Sequence, residues 1–292
     1  MISNTYGPGV NSWYGKAYDS YPDEYKMLYN VEKSSRAYEE DVGVSSFGLI
    51  PVKNEGAAIT YDTEIQGFTT RYVHSTYGMG FVVTKEMFED DLYDVVGKRR
   101  ANGLAFSVKQ TLNTQGAYMY NNATTFTLGD GVGVLNDSHP NIAGGTQDNL
   151  SASTLSEAAL ESACIAIMKL TNDRGLRIQL IPQELIVPAD LVFEAERILN
   201  SPLRVSTANN DLNALKEMGK FPGGIKVNHY LTNTTAWFIK TNSPDGCKMF
   251  ERRAPSFDMD NDFDTENAKF KATFRVSFGA TDWRALYGYS TT

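Results

Sequence analysis

The chain has 292 residues, 41% of them hydrophobic, and its 27 Lys+Arg against 35 Asp+Glu give a formal net charge of -8. That length supports one large or two intimately joined domains with a true core, and the acidic balance excludes the basic footprint of a protein that grips nucleic acid. Two cysteines exclude a disulfide framework, and the lack of any run of about 18 apolar residues excludes a membrane-spanning helix.

Residues 1–44 are rich in Tyr, Ser and Gly, with scattered charge. They lack a long apolar periodicity and a basic-then-apolar leader, so they read as an extended arm of a protein made in a cytoplasm. From Ser45 to Val83 the pattern is strand-like: Ile59, Tyr61, Thr63 and Ile65 alternate, then Tyr72, Tyr77, Met79, Phe81 and Val83 continue, with Gly56 and Gly67 as turns. A two-stranded ribbon is marginal alone in water, so this one is expected to lie on its own body or on a neighbouring chain.

A long helix is predicted from Thr84 to about Tyr120, capped by Thr84. Glu86, Glu89, Asp90 and Asp91 sit early, where the helix dipole favours them. Phe88, Leu92, Val95, Arg99 and Phe106 fall on one stripe of this helix, over a length of about 55 Å. Gly97, Gly103 and Gly116 each cost about 1 kcal/mol against alanine, so each predicts a bend, a break or close packing.

The segment from Thr124 to Asn149 is a Gly-rich loop. Thr154 and Glu157 have the spacing of a capping box, which opens a helix to about Leu170 with Leu160, Cys164 and Ile167 on its apolar side. "RIQLIPQELIVP" then predicts a buried strand, "ADLVFEAERIL" a short helix, and "GIKVNHYL" and "TAWFIKT" two further strands of a compact α/β unit. Near the C-terminus Phe270, Ala272, Phe274, Val276 and Phe278 alternate as a half-buried strand.

No catalytic motif is present: there is no G-x-S-x-G elbow, no phosphate-binding loop, no H-E-x-x-H and no C-x-x-C. "GDGVGV" at Gly129 lacks the third glycine of a dinucleotide site. His74, His139 and His229 show no spacing that converges on a metal and read as structural. Asp90 and Asp91 point about 100° apart on a helix, which suits helix-start electrostatics rather than acid/base chemistry.

The acidic stretch "DMDNDFDTEN", 258–267, is the one candidate for a hard cation. Asp258, Asp260 and Asp262 fit the first donors of a calcium loop, but Phe263 stands where the turn glycine belongs and Lys269 where the bidentate glutamate belongs. The favoured reading is a solvated acidic connection between strands, with the further hypothesis that it faces a basic patch on a neighbouring subunit. A calcium-dependent binding module is the alternative.

The element order and five fragments carry a resemblance: "GFVVTKEMFEDDLY" (80–93), "SHPN" (138–141), "LIPQELIVPADLVFEAERIL" (180–199), "LTNTTAWFIK" (231–240) and "FGATDWRALYG" (278–288). Together they resemble the tailed-bacteriophage major capsid protein, with the Hong Kong-type fold, and within it the major head subunit family of Mu-like phages. The resemblance implies an α+β fold divided into an N-terminal arm (1–44), an extended loop (45–83), a peripheral domain with a spine helix (84–153), an axial domain (154–246) and a peripheral return with C-terminal strands (247–292).

It further implies a structural, non-enzymatic virion protein with no cofactor, metal or catalytic residue and no membrane partner. Copies would form hexamers and pentamers of an icosahedral shell, assembled in the host cytoplasm around double-stranded DNA without reading its sequence. A separate scaffolding protein and a portal are the expected partners; a sequence that opens within an arm suggests either that separate scaffold or a chain whose extension has been removed. Lys53 is the nearest candidate for the loop lysine that some relatives cross-link, but the partner asparagine and catalytic glutamate find no match.

Overall fold

The structure, a computed structural model, describes residues 2–45, 47–90, 93–203, 211–262 and 264–291. Helices α1 (Ile2–Ser20) and α2 (Tyr25–Leu28) lead into strands β1 (Asn30–Lys33), β2 (Tyr38–Ser45), β3 (Ile65–Val73) and β4 (Ser75–Val83). Helix α3 (Lys85–Glu89), a π-helical turn at Tyr93–Gly97 and helix α4 (Lys98–Asn121) come next, then the short strands β5 (His139–Pro140) and β6 (Thr146–Gln147). The rest comprises α5 (Glu157–Lys169), β7 (Pro182–Val187), α6 (Val192–Asn200), α7 (Ala214–Glu217), β8 (Ile225–Val227), β9 (Trp237–Thr241), β10 (Cys247–Asn261), β11 (Ala268–Ala280) and β12 (Leu286–Tyr289).

The chain divides into two compact units, one from residues 1–39, 72–116 and 249–278, the other from 40–71, 117–248 and 279–292. In the first, β1, β10, β11 and β4 form a sheet in that order. Strand β11 pairs antiparallel with β4, setting Phe270 opposite Phe81 and Phe274 opposite Tyr77. Both ring pairs stack at 5.0 Å, a cross-strand contact of the kind that fixes register. The alternation in β11 is as the sequence indicates, with Ala268, Phe270, Ala272, Phe274 and Val276 all buried.

Two expectations for this unit need correction. The presumed extended arm is largely helical in α1, and Tyr14 stacks on Phe257 at 4.6 Å. Glycines and a proline depress the local propensity of α1, and burial against a distant strand supplies what the local pattern lacks. The remainder of the arm binds its own chain: the Tyr25 N–H donates to Asn113 Oδ1 at 3.2 Å, the Tyr29 hydroxyl donates to the Gly116 carbonyl at 2.7 Å, and the Lys109 ammonium pairs with Asp23 beneath the Tyr18 ring.

The predicted spine helix is the second. Thr84 does cap, accepting from the Met87 N–H at 3.3 Å, and the helical run ends within a residue of Tyr120. It is not continuous, however, because the π turn ending at Gly97 separates α3 from α4. Val95, Arg99 and Phe106 are exposed, and the buried face of α4 in this unit is Ala101, Leu104, Ala105, Val108 and Leu112. Asp91, Leu92 and the side chain of Phe88 lie outside the described residues.

The second unit is built on a sheet ordered β12, β9, β7, β8. Strand β7 runs parallel to β8 and antiparallel to β9. Its central strands are buried on both faces: Leu185, Ile186 and Val187 of β7 and Trp237, Phe238 and Ile239 of β9 are inaccessible. Helix α5 buries Leu160, Cys164 and Ile167 as read from its periodicity, but its cap is Ser156, whose Oγ accepts from the Ala159 N–H at 3.2 Å, not Thr154.

The ribbon reading of 45–83 also changes. Strand β3 pairs with β2, whereas β4 belongs to the sheet of β11. Residues 47–64 form no strand at all. Alternation marks residues able to pair, and without a partner strand it produces none.

Candidate functional site

The titratable clusters are engaged internally. His74 lies between Ser34 Oγ and Ser277 Oγ, 3.0 Å from each. All three are buried, and Glu39 contacts Ser34 rather than the imidazole. A Ser-His pair needs a nucleophile open to substrate and a carboxylate orienting the base, and this one has neither. Burial, reinforced by Arg275 and Arg252 and opposed by Glu39, holds the His74 pKa below its ordinary 6.5.

His139 is inaccessible, with Nδ1 2.6 Å from Asp130 and its ring stacked 4.3 Å from that of Trp283. His229 is exposed in a turn. Burial pushes the thiols of Cys164 and Cys247 up to about 11, which leaves them inert at neutral pH.

A cleft of about 270 Å³ in the second unit is bordered by Asp130, Asp173, Asp282 and Arg284. Its guanidinium is already spent on the Thr171 carbonyl at 2.9 Å, Asp173 at 2.8 Å, and Asn141 and Asp282 at 3.3 Å. The acidic stretch is split between the exposed end of β10 and a tight connection to β11. There the Asp262 N–H donates to the Asn267 carbonyl at 2.9 Å, Asp262 pairs with Lys269, and Glu266 pairs with Lys85. Both acids thus find lysines of their own chain. Phe263 lies outside the described residues, and among those described no group of three or more His, Cys, Asp or Glu could hold a metal ion. The calcium alternative gains no support.

What remains is a surface. Between β2 and β3 the chain exposes a run of large apolar side chains: Leu49 is 82%, Ile50 95%, Val52 91% and Tyr61 92% exposed. Singly exposed apolar residues are ordinary, whereas a contiguous set marks an interaction site. Lys53 sits exposed within the same segment.

The base of that segment is tied. Asp62 Oδ2 accepts from the Gly48 N–H at 2.8 Å and from Arg174, while Asp62 Oδ1 accepts from the Thr63 N–H at 2.9 Å. The Gly48 N–H, with Arg174 and the Thr63 N–H, holds the Asp62 carboxyl below its ordinary 3.8. The periodicity of the sequence pointed to this region but misread its conformation, and no local signal marks Asp62 or Arg174.

A family model described as phage capsid protein matches residues 67–288. No curated protein sequence matches. Among solved structures the chain is similar to the procapsid of bacteriophage JBD30, with a TM-score of 0.56, 11% identity, and coverage of 100% of this chain and 75% of that one. It is also similar to a virus-like particle from Pyrococcus furiosus (0.55, 9% identity, 98% and 100% covered) and to the capsid of an empty GTA particle (0.55, 13%, 91% and 89%). At such identities the likeness shows the fold, the α+β architecture of phage major capsid structures, while the family match spans most of the sequence. The chain belongs to the phage capsid protein family.

Proposed function

We propose that this chain is the major structural subunit of a capsid shell, built by self-assembly without enzymatic chemistry. The observation that carries the reading is the exposed apolar run of 47–64, which a single copy leaves in water and a second copy would cover. Repeated around rotation axes, individually weak contacts close a shell.

The finer reading is an icosahedral shell of hexamers and pentamers around double-stranded DNA, put together in a host cytoplasm with a separate scaffolding protein and a portal. The Mu-like head subunits are the subfamily it implies, on the strength of the fragments at 80–93, 138–141, 180–199, 231–240 and 278–288. The same reading assigns the arm to 1–44, the extended loop to 45–83, the peripheral domain to 84–153, the axial domain to 154–246, and the peripheral return with the C-terminal strands to 247–292. A net charge of -8 suits a shell that must not grip its DNA.

Electron microscopy of the expressed chain, alone and with its scaffolding protein, tests this directly. Capsomers or shells are expected. Leu49→Ser with Ile50→Ser should leave separate, folded subunits, because side chains this exposed contribute within about 0.5 kcal/mol to folding. Assembly of that double variant at the parental rate would overturn the reading.

A further inference from the structure

We propose that Arg174 and Asp62 form a latch that holds the 47–64 segment in the pose from which it docks on a second copy of the chain; this rests on the docking reading above. The carboxylate of Asp62 binds Gly48 at one end of the segment and lies at the other end itself, closing it into a loop. The loop is then fixed to the body of its own unit by the Arg174 guanidinium, which reaches both Asp62 Oδ2 and the Thr63 carbonyl.

The donor is pre-organised. Arg174 stands in a turn closed by the Asn172 N–H to the Leu176 carbonyl at 2.7 Å, and Asn172 Oδ1 accepts from the Arg174 N–H at 3.0 Å and the Leu176 N–H at 2.9 Å. Its guanidinium is largely buried, although the loop tip is almost wholly exposed. Gly48 admits the arrangement: a Cβ there would lie 3.3 Å from both the Arg174 Nη1 and the Asp62 Oδ2. The fork geometry is needed as well as the charge, since an ammonium cannot serve a carboxylate and a neighbouring carbonyl from one rigid plane.

A loop held at both ends loses less conformational freedom on docking, so the latch raises the rate and extent of assembly without touching the partner. Releasing it costs about the factor carried by one partly screened, charge-assisted pair, roughly five- to tenfold in assembly rate.

The test compares Arg174→Gln, Asp62→Asn, Arg174→Lys and the Leu49→Ser/Ile50→Ser variant in two assays. Amide hydrogen exchange of peptides covering 47–64 in the unassembled subunit reads the latch alone, and light scattering with electron microscopy reads assembly. Arg174→Gln and Asp62→Asn should lose protection at Gly48 and slow assembly five- to tenfold, with Arg174→Lys in between. Parental exchange and parental assembly in Asp62→Asn, which alters only an exposed loop side chain, would overturn the latch. If the tip variant alone fails to assemble, docking stands without the latch. A tip variant that assembles normally would remove docking, and the latch's role in assembly with it, whatever the exchange shows.

Discussion

Replacing Asn149 by Ala should unfold the second unit far more readily than its place in a Gly-rich loop implies. Asn149 is inaccessible to solvent. Its Nδ2 donates to the carbonyls of Val134 at 2.7 Å, Leu286 at 3.0 Å and Trp283 at 3.2 Å, while Oδ1 accepts from the Asn136 N–H at 2.9 Å and lies 3.1 Å from His139 Nε2. The side chain therefore ties the 124–149 loop to the C-terminal segment that carries Trp283 and β12. Five side-chain bonds at about 1 kcal/mol net each, partly replaced by water, give a loss of about 4 kcal/mol. For a unit of this size that lowers the melting temperature by roughly 10 °C. Denaturant unfolding followed by tryptophan fluorescence is the assay, because Trp283 stacks on His139 within the same network. Asn149→Asp, which turns a carboxylate toward three carbonyls, should cost at least as much. A loss below about 1 kcal/mol in Asn149→Ala would refute the account, since it would mean that the loop keeps its course without this hub.

Two further outcomes can be checked on the other unit. A Cβ at Gly103 meets no atom within 4 Å, whereas at Gly116 it would fall 2.7 Å from the Tyr25 Cβ; Gly103→Ala should stabilise by about 1 kcal/mol and Gly116→Ala destabilise by about 2 kcal/mol in thermal melts. For His74, the lowered folded-state pKa means that the unfolded chain binds the extra proton first as pH falls. Stability should be complete above the ordinary 6.5 and decline below it. Melting between about pH 7 and about pH 5 should show that decline, and His74→Asn should flatten the curve even if it starts lower; an unchanged slope would discount the histidine.

Much of the local structure is legible in the sequence. The apolar stripe of α5, the buried runs of β7 and β9 and the alternation of β11 are periodicities that a single element imposes on its own residues, and they survive because each element buries the face its sequence offers. Of the three helix glycines, Gly97 sits at the break and Gly116 at a close contact, as their cost demands, while Gly103 does neither. The capping of α5 was misassigned by two residues, since several Ser and Thr side chains near a helix start compete and only geometry selects one.

The sequence by itself determined the acidic, motif-free character of the chain, the order of most of its elements and a resemblance to phage capsid proteins that the family match bears out. Only the tertiary structure decided which strand pairs with which, that the first segment is helical against Phe257, that 47–64 is an exposed loop rather than a ribbon, and that Asp62 meets Arg174. The reason is physical. A helix stripe or strand alternation is written within a dozen residues, whereas a pairing across a long stretch of chain depends on loop closure and on burial supplied by residues elsewhere, which no local pattern records.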